Sequence, residues 1–159
     1  MAQKAQAIPK GYHTVTPSLC VAGAAKAIDF YKKAFGAEER MRFPAPDGSI
    51  MHAELTIGDS TIMLGDEMPD QGGRGPKSIG GTPVSFFIYQ ENVDEGWKKA
   101  VAAGAKEIMP LADQFWGDRT GCLEDPFGHQ WWLAQHIQDL TPEQLQKNAE
   151  AFFSQGQPA

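Results

Sequence analysis

Hydrophobic and polar positions follow two periods along this chain, and the changeovers mark its elements. Ala24, Ile28, Tyr31 and Phe35 recur at helical spacing, and Gly36 follows as a stop. The spacing predicts a helix over 24–35. From residue 50 to 57 the period is two. Met51, Ala53, Leu55 and Ile57 share one face; Ile50, His52, Glu54 and Thr56 share the other. Gly58-Asp59 turns the chain into a return arm over 60–64. Residues 12–21 also alternate, with Val15, Leu19 and Val21 facing away from Thr14, Thr16 and Ser18. Pro17 inside that run argues against a central strand. A short strand is expected at 38–43, followed by a loop at 44–48.

The same order then returns. Residues 84–89 read as a strand. Asn92 caps a helix with Glu95 as its capping-box partner, Val93, Trp97 and Val101 form the buried stripe, and Gly104 ends it. A short strand at 105–109 and a loop at 110–117 precede a hairpin. Its arms are 118–125 and 129–135, and its turn is Asp125-Pro126-Phe127-Gly128. Between the halves, residues 66–83 are rich in glycine and proline and read as a connector with a mobile middle. Tyr31-Lys32-Lys33-Ala34 parallels Trp97-Lys98-Lys99-Ala100, and Ile62-Met63-Leu64 parallels Trp131-Trp132-Leu133. Each half thus reads β-α-β-β-β. The expected fold class is α+β: two βαβββ modules, 12–70 and 82–136, forming a curved eight-stranded sheet around a pocket. A ferredoxin-like sandwich is the alternative for the same elements.

Residues 1–11 read as a flexible tail, and 137–159 as a C-terminal helical extension. Thr141-Pro142-Glu143-Gln144 is a helix start with Thr141 as N-cap and Gln144 completing a capping box; Leu145, Ala149 and Phe152 give it an apolar stripe.

Composition narrows the classes. With 159 residues, 42% hydrophobic and 21% charged, the chain can bury one domain's core. A formal charge of −6 argues against nucleic acid and anionic membrane as partners. No apolar run approaches the roughly 20 residues of a membrane span. The first residues lack the apolar core of a signal peptide, so a cytoplasmic location is expected, with Cys20 and Cys122 as free thiols.

Three segments carry a family resemblance: A-I-D-F-Y-K-K-A-F-G-A-E (27–38), H-A-E-L-T-I-G-D-S-T-I-M-L-G-D-E (52–67) and F-W-G-D-R-T-G-C-L-E-D-P-F-G-H-Q-W-W-L-A (115–134). The chain resembles the vicinal oxygen chelate superfamily, which includes glyoxalase I, the fosfomycin and bleomycin resistance proteins and the extradiol dioxygenases. Within it, the chain is similar to the PhnB-like group. The resemblance implies a glyoxalase-like fold and, in the metal-dependent members, a divalent ion. Four side chains hold that ion, one from the first and one from the last strand of each half. Its chemistry is that of a Lewis acid on two substrate oxygens. Counting back from the helices puts the first and third positions on Thr16 and Ser85, and the pattern at the end of each hairpin puts the second and fourth on Met63 and Trp132. Two hydroxyls, a thioether and an indole are not a ligand set for Zn²⁺, Ni²⁺, Mn²⁺ or Fe²⁺, so no metal is expected there. A slip of three residues would bring His13 into the first position.

Other polar and aromatic residues remain. His52 and Glu54 share a strand face, either as a base or off-pattern ligand pair or as an ordinary half-exposed surface. His129 is expected to anchor its turn through backbone. Asp118-Arg119 reads as an ion pair closing a bend or as an anion-binding element. Trp116, Phe87, Tyr89 and Trp132 are expected to line an aromatic pocket, Trp131 to lie in the core, and Cys122 to be a small buried hydrophobe. The resulting candidate ligand-binding residues are Thr16, His52, Glu54, Met63, Ser85, Phe87, Trp116 and Trp132, with no catalytic residue assigned. The expected activity is binding of a small apolar or aromatic molecule without cofactor, as bleomycin-type resistance proteins bind. The alternative is a metal-dependent lyase or dioxygenase with a non-standard ligand set that includes His52 and Glu54. Members of the superfamily pair their modules within or between chains, so a homodimer is expected.

Overall fold

The computed structural model describes residues 5–154 and 156. Its eight strands fall into two sheets of four, ordered β1-β4-β3-β2 and β5-β8-β7-β6. In the first, β1 (Ser18–Val21) lies parallel to β4 (Ser60–Asp66), and β3 (Ile50–Ile57) lies antiparallel between β4 and β2 (Glu38–Pro44). In the second, β5 (Ser85–Tyr89), β8 (Gln130–His136), β7 (Asp118–Glu124) and β6 (Lys106–Asp113) repeat that order and those directions. The internal repeat read from the sequence is thus a repeat of topology. Among the described residues the two sheets close no barrel.

Helix α1 (Ala24–Phe35) belongs to the first module and α3 (Val93–Ala103) to the second, and the two pack against each other. Their apolar stripes and one face of each sheet make a single core. Alternation sends Leu19, Leu55 and Leu64 inward from the first sheet, and Leu123, Trp131 and Leu133 inward from the second. The module helices start on matching devices. Asp66 at the end of β4 accepts the Gly23 and Ala24 amides at 2.8 Å. Gln135, at the matching place on β8, accepts the Val93 amide at 3.2 Å. Both satisfy amides that have no partner within the helix.

Several boundaries differ from the sequence expectation. The first strand was expected over 12–21 but begins at Ser18. Pro17 has no amide to give to a ladder, and only its carbonyl joins β4, accepting the Met63 amide. Strand β6 runs through the expected loop to Asp113, with its register shifted around Pro110. The connector holds a 3-10 turn at Pro69–Gln71 and a short helix α2 at Pro76–Ile79. At the edge of β3, Ile50 is buried and Met51 exposed, the reverse of their expected faces, where a register shift at Phe43/Pro44 ends the alternation. The end of the expected tail is tied down: the Gly11 carbonyl accepts the Thr61 hydroxyl at 2.6 Å.

Helix α4 (Pro142–Ser154) follows the second module. Its capping box forms as read, with Gln144 N donating to Thr141 Oγ1 and Thr141 N donating to Gln144 Oε1. Asn92 also caps α3, through the Glu95 amide, but the Glu95 side chain pairs with Lys99 instead of closing a box. None of the described helices is long and apolar enough to cross a membrane.

Candidate functional site

Each sheet has a second face that no helix covers, and these open faces hold most of the candidate residues. On the first sheet, in-register pairing places Ser18, Met63, Glu54 and Met41 side by side on one face, with His52 two residues from Glu54 on the same face. His52 Nε2 stands 3.3 Å from Glu54 Oε1. Glu54 is only 7% exposed. Its Oε2 accepts no hydrogen bond of ordinary geometry, and Arg40 Nη1 stands 3.8 Å from it. The Tyr12 hydroxyl, then the His52 ring and the Arg40 guanidinium, hold the Glu54 carboxyl below the usual carboxylate range, against the opposing effect of burial. Arg40 also lies over the Tyr12 ring, 5.0 Å from its centroid.

On the second sheet the open face is aromatic. Phe87 and Trp132 are cross-strand partners with ring centroids 5.4 Å apart and planes 2° from parallel. Tyr89 continues the row, 6.2 Å from Phe87. Phe87 is 51% exposed and Tyr89 62%. The row ends in a polar cluster around Asp118. The Tyr89 hydroxyl (3.0 Å) and Trp116 Nε1 (3.2 Å) donate to Asp118 Oδ2, and His136 Nδ1 lies 2.8 Å from Oδ1.

A 680 Å³ cleft runs along the edge of β5. Ser85, Phe87, Tyr89 and Gln90 line one side, and Thr61 and His13 the other. Phe35, Phe86 and Trp131 reach it from the core side, so it combines apolar walls with a few polar groups.

The eight candidate residues therefore divide. Phe87, Trp132 and Trp116 belong to the second sheet's open face, and Ser85 joins Phe87 along the cleft. His52, Glu54 and Met63 share the first sheet's open face. Thr16 precedes β1 and donates its hydroxyl to the His13 carbonyl. Ser18, not Thr16, stands opposite Met63, and its counterpart opposite Trp132 is Phe87, not Ser85. Of the remaining readings, Trp131 and Cys122 are buried and both cysteines are free. His129 Nε2 lies 3.0 Å from the Cys20 carbonyl, a backbone anchor that also joins the modules. Asp118 and Arg119 do not pair: they occupy opposite faces of β7, and Arg119 binds Asp94 and Asp113. The residues missed from the sequence are His136, Arg40 and Tyr12. Only His136 had a usable signal, since it follows Trp132 by four positions on an alternating strand and must share its face.

The residues present do not fit a divalent ion at the superfamily's position. Met63 and Trp132 offer a thioether and an indole, Thr16 and Ser85 hydroxyls, and the strand partners Ser18 and Phe87 add only a hydroxyl and a phenyl ring, whereas a tight site needs three or four imidazole, carboxylate or thiolate donors.

Comparison with known proteins agrees with this architecture. The chain is 45% identical over 145 residues to the uncharacterized protein Mb0911c of Mycobacterium bovis, covering 89% of this chain and 93% of that protein. The crystal structure of TioX from Micromonospora sp. ML1 superposes with a TM-score of 0.61 at 27% identity, covering 81% of this chain and all of that one. A PhnB protein from Bacillus cereus shares the fold, with a TM-score of 0.60 at 21% identity and coverage of 77% and 99%. The family model of the glyoxalase/bleomycin resistance protein/dioxygenase superfamily matches residues 12–133, spanning both repeats, and the chain belongs to that superfamily.

Proposed function

We propose that this chain binds a small apolar or aromatic molecule without a metal ion, and that it does so as a homodimer. The observation that carries the reading is the parallel stack of Phe87 and Trp132, with Trp132 at the place where the resemblance puts the fourth metal ligand. Two flat, part-exposed rings offer dispersion and stacking surface to a flat ligand. The superfamily's name joins binding proteins with enzymes, and the donor set here favours the binding side. Elemental analysis of protein purified without chelator or affinity tag is expected to find less than one transition-metal ion per chain. Tryptophan fluorescence titrated with aromatic probes is expected to report binding in the wild type. Trp132→Ala is expected to weaken that binding by about tenfold or more, the scale of a lost aromatic contact of 1–2 kcal/mol.

A second reading rests on the His52–Glu54 pair. One carboxylate oxygen and one imidazole nitrogen close together, with Glu54 Oε2 held only by the longer Arg40 contact, are two donors of a metal site. This reading makes the chain a metal-dependent lyase or dioxygenase with a non-standard ligand set. Its signature is one ion per chain, lost in His52→Ala and Glu54→Ala.

A further inference from the structure

The aromatic row ends on a charged element that the binding proposal does not use. His136 shares its face of β8 with Trp132. Its Nδ1 lies 2.8 Å from Asp118 Oδ1, and its Nε2 lies 3.0 Å from Asp139 Oδ1. Carboxylate oxygens only accept hydrogen bonds, so the imidazolium, with a proton on both ring nitrogens, is the form that satisfies both contacts. The two carboxylates are not equivalent. Asp118 is 6% exposed and fixed by the Tyr89 and Trp116 donors. The Asp139 side chain is fully exposed and makes no other hydrogen bond among the described residues. An exposed pair of that kind contributes little and exchanges readily.

We propose that the open face of the second sheet takes a small aromatic carboxylic acid, its ring on the Trp132–Phe87–Tyr89 row and its carboxylate replacing that of Asp139 on His136 Nε2. The proposal rests on the aromatic-binding reading and names its ligand class. The row is continuous, with rings 5.4 and 6.2 Å apart, and the Tyr89 hydroxyl ends on the same carboxylate as His136. The Tyr89 end of the row thus abuts the Asp118–His136 pair, and with Asp118 on the Nδ1 edge the ligand's carboxylate takes the Nε2 edge. The exchange is like for like: one carboxylate leaves and another arrives, so the charge around His136 is unchanged and Asp118 keeps its partner. The charged groups facing the ring are Asp118 from β7 and Asp139 from the segment before α4, while Tyr89 from β5 reaches it only through Asp118. The hydrogen bond to Asp118, then that to Asp139, holds His136 protonated to a higher pH than free histidine. Acid recognition is therefore present at low pH, persists to higher pH than a free histidine would allow, and fades as the ring loses its proton.

The test is calorimetric titration of the full chain with phenylacetate and with its neutral counterpart phenylacetamide, at pH 6 and pH 9. Phenylacetate is expected to bind about tenfold tighter than the amide at pH 6, the scale of one charge-assisted hydrogen bond, and to lose that advantage at pH 9. His136→Gln should remove the advantage while keeping amide binding. Asp139→Asn should strengthen phenylacetate binding, because it removes the competing carboxylate. Amide binding with no preference for the acid at pH 6 would overturn the ligand class and leave the aromatic-binding reading standing. Binding of neither probe would overturn both.

Discussion

Asp125 shows how much one side chain can hold. It is buried at the β7–β8 turn and accepts four hydrogen bonds. Oδ1 takes the Phe127 and His129 amides and shapes the Asp-Pro-Phe-Gly turn. Oδ2 takes the Tyr31 hydroxyl at 2.7 Å and Trp131 Nε1 at 2.9 Å, tying α1 of the first module to the second. Asp125→Ala leaves two buried side-chain donors unpaired, and the expected loss is about 3–5 kcal/mol in urea unfolding. Tyr31→Phe removes one bond and is expected to cost about 1 kcal/mol. Burial first, then the Asp125 charge, pushes the Tyr31 hydroxyl well above its ordinary value of 10.0. The folded state thus favours neutral Tyr31. That preference costs nothing below the unfolded pKa, so stability from this group is intact there and falls as pH rises past about 10. Thermal melts between pH 8 and 11 should show the fall, and Tyr31→Phe should flatten it. The turn was legible in the sequence because its signal is local. The Tyr31–Asp125 bond was not, because its partners lie 94 residues apart and only the packed core brings them together.

Elements were legible where local chemistry fixes them. The Thr141–Gln144 box, the Gly36 stop and the alternation of β3 each depend on a few neighbouring residues. Where β1 starts and where β6 ends depends on whether a partner strand is within reach, which no local pattern reports. The same division sets what mutations do. Helix α4 has no buried residue and touches the body mainly through Phe152 and Phe153 against Phe115, and through Asn148 Nδ2 donating to the Phe115 carbonyl. Thr141→Ala removes its N-cap acceptor at about 1 kcal/mol. Amide exchange is expected to rise within α4 while the main melting transition scarcely moves. Gly121, on the core face of β7, is the opposite case. A Cβ there would lie 2.7 Å from the Trp97 ring and 2.9 Å from the Leu111 backbone. Gly121→Ala is expected to cost about 1–3 kcal/mol and to lower the midpoint of the whole unfolding transition.

At the scale of the molecule, the division of the candidate residues follows from the core. Both module helices and one face of each sheet are spent on a single core, and the other two faces stay open. Those faces carry large exposed apolar side chains: Met41 and Phe43 on the first, Phe87, Tyr89 and Met109 on the second. Large exposed apolar patches on a folded chain mark interaction surfaces. A second copy supplies open faces of the same two kinds, which a twofold pairing brings together in equal numbers. The expected outcome is a homodimer, read by light scattering at micromolar concentration as twice the 17.3 kDa chain mass. Phe43→Glu with Met109→Glu places charges on both faces away from the Phe87–Trp132 stack. It is expected to shift the mass toward one chain while far-ultraviolet circular dichroism stays unchanged, because neither side chain is buried in the core. A wild type that scatters as a single chain would remove the dimer and leave each open face to act alone.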